Sequence, residues 1–110
     1  MRKTLLDLHE ILGEKILMKT LNLRPEKMQK LLEDPNQIPI PSAIEDKMNF
    51  LAAIVRNLKG SYNHYGIRQW LQRKRTQLKG KRPIDLLSGN WWPRDQKILK
   101  ILMLSRALNN

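Results

Sequence analysis

The sequence predicts an all-α protein, a small compact helical bundle of about five to six helices. Three observations predict this class: apolar residues recur at helical spacing, prolines stand where first turns of helices would begin, and no segment alternates apolar and polar residues as a half-exposed strand does. The chain has 110 residues, enough for one modest core. With 41% hydrophobic and 28% charged residues, it is too apolar for a disordered tail and too polar for a membrane protein.

The first helix is predicted over residues 4–21. Leu5, Leu8, Leu12 and Ile16 fall within an arc of about 80° on a helical wheel, and acidic residues occupy the other side. Further apolar residues widen this surface, so we expect the helix to be buried on more than one side or to pair with another chain. Acidic residues also interrupt the initial leucine run and no cleavage site follows, which argues against a secretory signal and favours a cytoplasmic protein.

A second helix is expected from Pro25 to a stop before Pro35, because proline is tolerated in a first turn but restricts the residue that precedes it. Residues 35–41 are rich in proline and predict a loop or extended link. Two successive N-terminal helices invite comparison with a helix-turn-helix, but this link is longer than the three or four residues of that motif. A helix-turn-helix in the N-terminal part is therefore expected to be degenerate.

The third helix is predicted over residues 43–59. Ser42 and Glu45 have the S-x-x-E spacing of a capping box at its start. Gly60 is placed to end it in the left-handed conformation. Between these signals runs one narrow apolar stripe, which consists of Ile44, Met48, Leu51, Val55 and Leu58.

The remaining helices follow from turn signals. Ser61 is predicted to cap a fourth helix, within which Gly66 indicates a close backbone contact or a bend. Pro83 is expected to begin a short helix, and Pro93 a last helix that ends at about Leu108.

The charge is distributed unevenly along the chain. Residues 1–46 carry seven Lys or Arg against eight Asp or Glu, whereas residues 47–110 carry fourteen against two, for a total net charge of +11. This asymmetry favours a polyanionic or acidic partner for the second half, although a basic surface that serves solubility is the alternative.

One tract concentrates this charge, with seven cations in fifteen residues and no acid among them. Tyr65 and Trp70 lie beside it as stacking surfaces would, although the helical position of Trp70 fits a core residue better. Such a density of cations predicts binding to a nucleic-acid backbone or an acidic partner. The residues concerned are Arg68, Arg73, Lys74, Arg75, Lys79, Lys81 and Arg82.

Catalysis has little support in the sequence. His9 and His64 stand alone without metal-ligand spacing, and there is no cysteine. No phosphate-binding glycine loop, paired-carboxylate site or nucleophile motif occurs in the sequence. We therefore expect a binding protein rather than an enzyme, with no catalytic residues, metal or cofactor.

The C-terminal segment is the second feature that suggests a function. Eight of the eleven residues at positions 98–108 are apolar, more than a domain of this size readily covers, and two tryptophans precede them. Aromatic and Met residues beside an apolar helix are typical anchors of protein interfaces, although the pattern also fits the central helix of a bundle. The residues predicted to contact a partner are Trp91, Trp92, Leu99, Met103 and Arg106.

Two segments of the second half form an ordered pattern, which consists of Tyr62, Asn63, Gly66, Ile67, Arg68 and Trp70, then Gly80, Pro83 and Leu87. This pattern resembles the toxin-binding domain of Xre/MbcA/ParS-type antitoxins. In that family a Tyr-Asn…Gly-Ile-Arg-x-Trp segment precedes a Gly-x-x-Pro-x-x-x-Leu block, and an apolar terminal helix follows. The similarity covers roughly the last fifty residues.

The resemblance implies a type II antitoxin that neutralises a cognate RES-type toxin, an NAD-degrading enzyme, by covering its active-site cleft. It also implies an antitoxin toxin-binding domain in residues 42–110 and a homo-oligomer. Many members of the family repress their own operon through an N-terminal DNA-reading module. Residues 1–41 depart from such a module and are expected to be a degenerate helix-turn-helix-like or dimerisation region.

The expected partners are therefore the toxin and, as a second option, operator or nonspecific DNA, but no membrane. The alternative function is a small basic nucleic-acid-binding transcriptional regulator, which would use the basic tract for DNA and the apolar helix as a dimer seam.

Overall fold

The computed structural model describes residues 2–33 and 39–107, and it confirms the all-α class within these ranges. An isolated antiparallel bridge between Arg75 and Lys81 is the β-structure found there. In the same part of the chain, every helix is too short or too polar to cross a membrane. The described helices are α1 (Arg2–Leu12), α2 (Glu14–Leu21), α3 (Pro25–Glu33), α4 (Ser42–Lys59), α5 (His64–Gln72), α6 (Pro83–Leu86) and α7 (Gln96–Ala107), with a 3-10 turn at Thr76–Leu78.

Helix α4 lies at the centre of the bundle. Helices α1, α2, α5 and α7 all pack against it, and its buried side chains run from Met48 to Leu58. Helix α1 also contacts α2 and α5, which explains why its apolar surface is wider than one stripe. Residues of the N-terminal region 1–41 and of the C-terminal region 42–110 therefore contribute to the same hydrophobic core.

The prediction of one helix over residues 4–21 is wrong, because Gly13 divides it into α1 and α2. The φ angle of Gly13 is 84°, which side-chain-bearing residues rarely adopt. Its N–H still donates to the His9 carbonyl oxygen at 3.0 Å, so the chain turns without leaving that donor unpaired. The Arg68 guanidinium lies 3.7 Å from where a β-carbon of residue 13 would stand, so the break also accommodates a side chain from α5.

A three-residue connection, at positions 22–24, joins α2 to α3. Asn22 takes the left-handed conformation there, with φ of 56°, and its N–H donates to the Met18 carbonyl oxygen. This length is what a helix-turn-helix requires. Most of the predicted link at 35–41 lies outside the described residues, and α3 begins at Pro25 as expected.

The capping box predicted for α4 does not form. Ser42 is the first helical residue, Pro41 occupies the N-cap position, and no side chain caps this turn. The N–H of Glu45 donates instead to the Pro41 carbonyl oxygen at 3.0 Å. The helix therefore begins one residue too early for the Ser42 hydroxyl to act as its cap.

The connection between α4 and α5 also differs from prediction. Gly60 has φ of −66° and ψ of −23°, a right-handed conformation, because the N–H of Ser61 continues the turn by bonding to a carbonyl oxygen of α4. The N-cap of α5 is Asn63, whose side-chain oxygen accepts the Gly66 N–H at 2.8 Å. The close contact predicted at Gly66 is present, since a β-carbon there would stand 2.9 Å from the Tyr62 ring.

The last helix begins later than predicted. Helix α7 starts at Gln96, and Pro93 lies in the preceding turn. The carbonyl oxygen of Asp95 accepts two N–H groups of the first turn, and its carboxylate accepts the N–H of Lys97 at 3.2 Å. Acceptors of this kind satisfy first-turn donors, and they explain the start. The predicted end at Leu108 lies outside the described residues.

Candidate partner-binding surfaces

Helix α7 is held against the bundle along one side. Ile98, Ile101 and Ser105 are buried on that side. Asn57 of α4 donates from its side-chain nitrogen to the Ser105 hydroxyl oxygen at 3.0 Å. Because successive residues of a helix are about 100° apart, this attachment fixes which side chains of α7 face outward.

An apolar flank lies on the outward side of α7. Leu99 and Met103, one turn apart, are 39% and 65% exposed. Arg106 is exposed one turn further along the same flank. We call Leu99 and Met103, together with Trp92, the apolar flank, and Arg106 lies at its edge. Trp92, in the turn before the helix, is 48% exposed and borders a depression of about 290 Å³ whose lining includes Phe50.

Trp91, although adjacent to Trp92, is a core residue. It is 6% exposed, and its indole N–H donates to the Thr20 carbonyl oxygen in α2 at 2.6 Å. Its ring packs on Phe50 with centroids 5.6 Å apart, and the Lys47 ammonium lies 5.3 Å from the ring centroid. Trp91 therefore attaches the C-terminal part of the chain to α2, and the partner contact predicted for it is not accessible at the surface.

Within the basic tract, Arg68 has a structural position. Its guanidinium donates to the carbonyl oxygens of Ile11 and Glu10, at 2.8 and 3.0 Å. These carbonyls end α1, where helix carbonyls lack intrahelical partners and where a cation is favourable. Arg68 thus joins α5 to α1, and this explains its place in the tract without a phosphate partner.

Two further arginines are paired within the protein. The Arg75 guanidinium lies 4.2 Å from the centroid of the Trp70 ring, which is 3% exposed and so belongs to the core, as the alternative interpretation held. Burial lowers the pKa of Arg75, and the neighbouring charge of Arg73 lowers it further. Arg82 donates two hydrogen bonds to the Asp85 carboxylate, at 2.9 and 2.7 Å, and thereby holds the pKa of Asp85 below its usual value.

The other four cations of the tract, Arg73, Lys74, Lys79 and Lys81, are exposed, and no ion pair involves them in the described part of the chain. Lys79 and Lys81 flank Gly80 in a tight turn, where Lys79 has φ of 58°.

Two lysines of α7 complete a basic surface that sequence reasoning missed. Lys97 and Lys100 line a groove of about 460 Å³ together with Lys79 and Lys81. The two pairs lie in separate segments of the sequence, and the packing of α7 against the 3-10 turn brings them together. The available signal was the three-residue spacing of Lys97 and Lys100, which places both on one face of a helix.

The histidines lie apart from these surfaces. His64 is exposed at the start of α5 and borders an open depression with Tyr62 and Tyr65, whereas His9 is half-buried in α1. Over residues 2–33 and 39–107, no group of side chains is suited to hold a metal ion.

Comparison of the chain with known protein families, curated proteins and solved structures gives no match to any family model, curated protein or solved structure.

Proposed function

We propose that this protein is a type II antitoxin that binds a cognate RES-type, NAD-degrading toxin through residues 58–110 and covers its active site. The observation that carries the proposal is the apolar flank of α7, where Met103 is 65% exposed although the opposite side of the helix is buried. The resemblance of residues 62–87 to the toxin-binding domain of Xre/MbcA/ParS-type antitoxins supplies the class of partner.

The flank has the chemistry of a protein-binding surface. A partner that covered Leu99, Met103 and Trp92 would remove apolar area from water. Complete burial of an exposed large apolar side chain contributes about 1.5–3 kcal/mol, and these three contribute a fraction of that because each is already partly buried. Methionine adapts its shape to a facing surface, and tryptophan is enriched among residues that dominate binding energy. Arg106, at the edge of the flank, would pair with acidic groups of the toxin and speed association.

The scaffold also supports the proposal, because it presents the flank in a fixed orientation. The hydrogen bond from Asn57 to Ser105 and the buried side of α7 hold the helix on α4. Asp95 caps the first turn, so the helix start is also defined. A surface that is ordered before binding loses less conformational entropy when the partner docks.

Co-expression with the toxin tests the proposal. Trp92→Ala and Met103→Ala should each weaken binding by about 2 kcal/mol, which is about thirtyfold. Leu6→Ala is the matched control, because Leu6 is 50% exposed on a different helix. Growth rescue, cellular NAD and the affinity of the purified pair are measured after circular dichroism has confirmed that each variant is folded.

Two outcomes would contradict the proposal. In the first, both folded variants protect cells and bind the toxin as the parent does, so the flank is not the contact. In the second, Leu6→Ala loses as much affinity as Met103→Ala, so toxin binding does not depend specifically on the apolar flank.

The proposal includes a homo-oligomer, as the resemblance implies, and an oligomer that used the apolar flank would compete with the toxin. Light scattering on the parent, Trp92→Ala and Met103→Ala separates the two uses. An oligomer that survives both substitutions leaves the flank free for the toxin. Dissociation by either one assigns the flank to a second copy of the chain.

A further inference from the structure

We propose that a lysine groove between the 3-10 turn and α7 binds the phosphate backbone of duplex DNA. The lysine groove is formed by Lys79 and Lys81 from the turn and by Lys97 and Lys100 from α7, and it has a volume of about 460 Å³. All four side chains are exposed. The proposal goes beyond the antitoxin function and does not depend on the identity of the toxin.

The turn that carries Lys79 and Lys81 is fixed by its own hydrogen bonds. The Arg75 N–H donates to the Lys81 carbonyl oxygen at 3.1 Å, and the Gly80 N–H donates to the Arg75 carbonyl oxygen at 2.9 Å. The Arg75 guanidinium is in turn held over the Trp70 ring. The two turn lysines therefore project from a backbone that is already ordered, opposite the pair on α7.

The charge of the groove is almost entirely positive. Asp95 is the one carboxylate among its lining residues, and the carboxylate already accepts the N–H of Lys97 at 3.2 Å. Within the described residues no ion pair neutralises any of the four lysines. Four cations against one carboxylate leave this concave surface with a net positive charge, and an anion that lies between the cations relieves their mutual repulsion.

The composition of the lining favours a nucleic-acid backbone over an acidic protein. Lysine is depleted in protein–protein interfaces, whereas lysines that face phosphates release counterions and gain affinity from that release. Residues 47–110 carry fourteen Lys or Arg against two acids, so the surface around the groove suits a polyanion longer than the groove itself.

The lining also favours a duplex over a single strand. No aromatic side chain is among the described residues that line the groove, which are lysines, glutamines, leucines and one aspartate. Single-stranded nucleic acid is held largely by stacking of bases on aromatic rings. The four lysines suit the phosphate backbone, which carries no sequence information, so we expect them to bind duplexes of any sequence.

The groove is separate from the apolar flank. On a helical wheel Lys97 is about 120° from Met103 and about 160° from Leu99, whereas Lys100 is about 60° from Met103. Neither Leu99 nor Met103 lines the groove. Substitutions at Lys97 and at the turn lysines therefore test the groove independently of the apolar flank.

The experiment measures binding of the full chain to a fluorescein-labelled duplex of random sequence by anisotropy, over a series of salt concentrations. The double variant Lys81→Gln/Lys97→Gln should lower the slope of log affinity against log salt by about 2 and weaken binding about tenfold or more at 0.1 M salt. The matched control Lys15→Gln/Lys30→Gln removes the same charge from α2 and α3 and should leave the slope unchanged.

Toxin neutralisation by the groove variant should equal that of the parent, so loss of DNA binding is distinguishable from failure of the antitoxin proposal. The proposal is overturned if the parent does not bind the duplex at low salt, or if the control pair reduces the slope as much as the groove pair. It is also overturned if poly-L-glutamate displaces the duplex at an equal concentration of charge, because the preferred ligand is then a carboxylate polymer.

Discussion

Trp91→Phe should destabilise the fold strongly, whereas Trp92→Phe should not, although the two residues are adjacent. Trp91 is 6% exposed and donates its indole N–H to the Thr20 carbonyl oxygen at 2.6 Å. Trp92 is 48% exposed. Phenylalanine at either position keeps an aromatic ring and removes the N–H, so the comparison isolates the buried hydrogen bond and the packing around it.

The loss of stability in Trp91→Phe follows mainly from the Thr20 carbonyl oxygen, which loses its hydrogen-bond donor. This carbonyl lies in the last turn of α2, where intrahelical donors are missing. A buried acceptor left without a partner costs about 1–3 kcal/mol. The smaller ring also leaves unfilled volume beside Phe50 and weakens the contact with Lys47, which adds about 1 kcal/mol. The sum, about 3 kcal/mol, corresponds to a fall in Tm on the order of 10 °C for a chain of this size.

Urea unfolding followed by far-UV circular dichroism measures both variants against the parent. Trp92→Phe should lie within about 0.5 kcal/mol of the parent, as most surface substitutions do. The reasoning fails if the two variants have the same midpoint, because position 91 then has no special attachment to α2.

Four other substitutions test the fold. Gly13→Ala should lower the free energy of unfolding by about 1 kcal/mol or more, because φ at this position is 84°. Gly60→Ala, at φ of −66°, should leave the free energy of unfolding unchanged or raise it by up to about 1 kcal/mol. Urea unfolding measures both, and a larger loss at Gly60 than at Gly13 contradicts this expectation. Arg68→Lys keeps the charge but not the pair of hydrogen bonds to the end of α1. We expect the free energy of unfolding to fall by about 1.5–3 kcal/mol and amide exchange in α1 to become faster. Unchanged exchange would falsify the stabilising role of this contact. Asp85→Asn removes a carboxyl whose pKa Arg82 lowers in the folded state. That contribution to stability is present above the unfolded pKa of about 3.9 and is lost as pH falls through the folded pKa. The parent should therefore lose stability more steeply than the variant below about pH 4, and identical acid profiles argue against the pair.

Helix α4 could be predicted from apolar spacing because its buried side chains recur along one side. The run from Met48 to Leu58 in α4 specifies both the helix and its buried face. The starts of α3 at Pro25 and α6 at Pro83 also followed from the sequence. In each case the signal is local, so a single sequence contains it.

The errors arise where a tertiary contact decides the local structure or where two local signals compete. A glycine inside a helical pattern costs only about 1 kcal/mol, so the sequence alone did not reveal that Gly13 would break the helix beside Arg68. Pro93 and Asp95 are both plausible at a helix start, and the structure uses the side chain that can accept N–H bonds. The Ser42–Glu45 spacing matched a capping box, but the helix begins at the serine itself.

The candidate surfaces were predictable only in part. Trp92, Leu99, Met103 and Arg106 are exposed as an interface requires, but the sequence could not distinguish Trp92 from Trp91. The difference between the two tryptophans depends on the Thr20 carbonyl, 71 residues away along the chain.

The basic tract was also predictable only in part. Charge density identified its cations but not which of them the fold already uses, as it uses Arg68 and Arg75. The lysine groove joins segments that no local pattern connects.

The hydrogen bonds by which Arg68 joins α5 to α1 have a consequence for synthesis of the chain. Arg68 follows the two carbonyls it binds by 57 and 58 residues. Helix α1 is therefore synthesised well before the guanidinium that binds its C-terminal carbonyl oxygens. At about 5–20 residues per second, the wait is about 3–12 s. During that interval α1 can pack against α2 and α4, but the part of its surface that α5 covers stays exposed until α5 has been made.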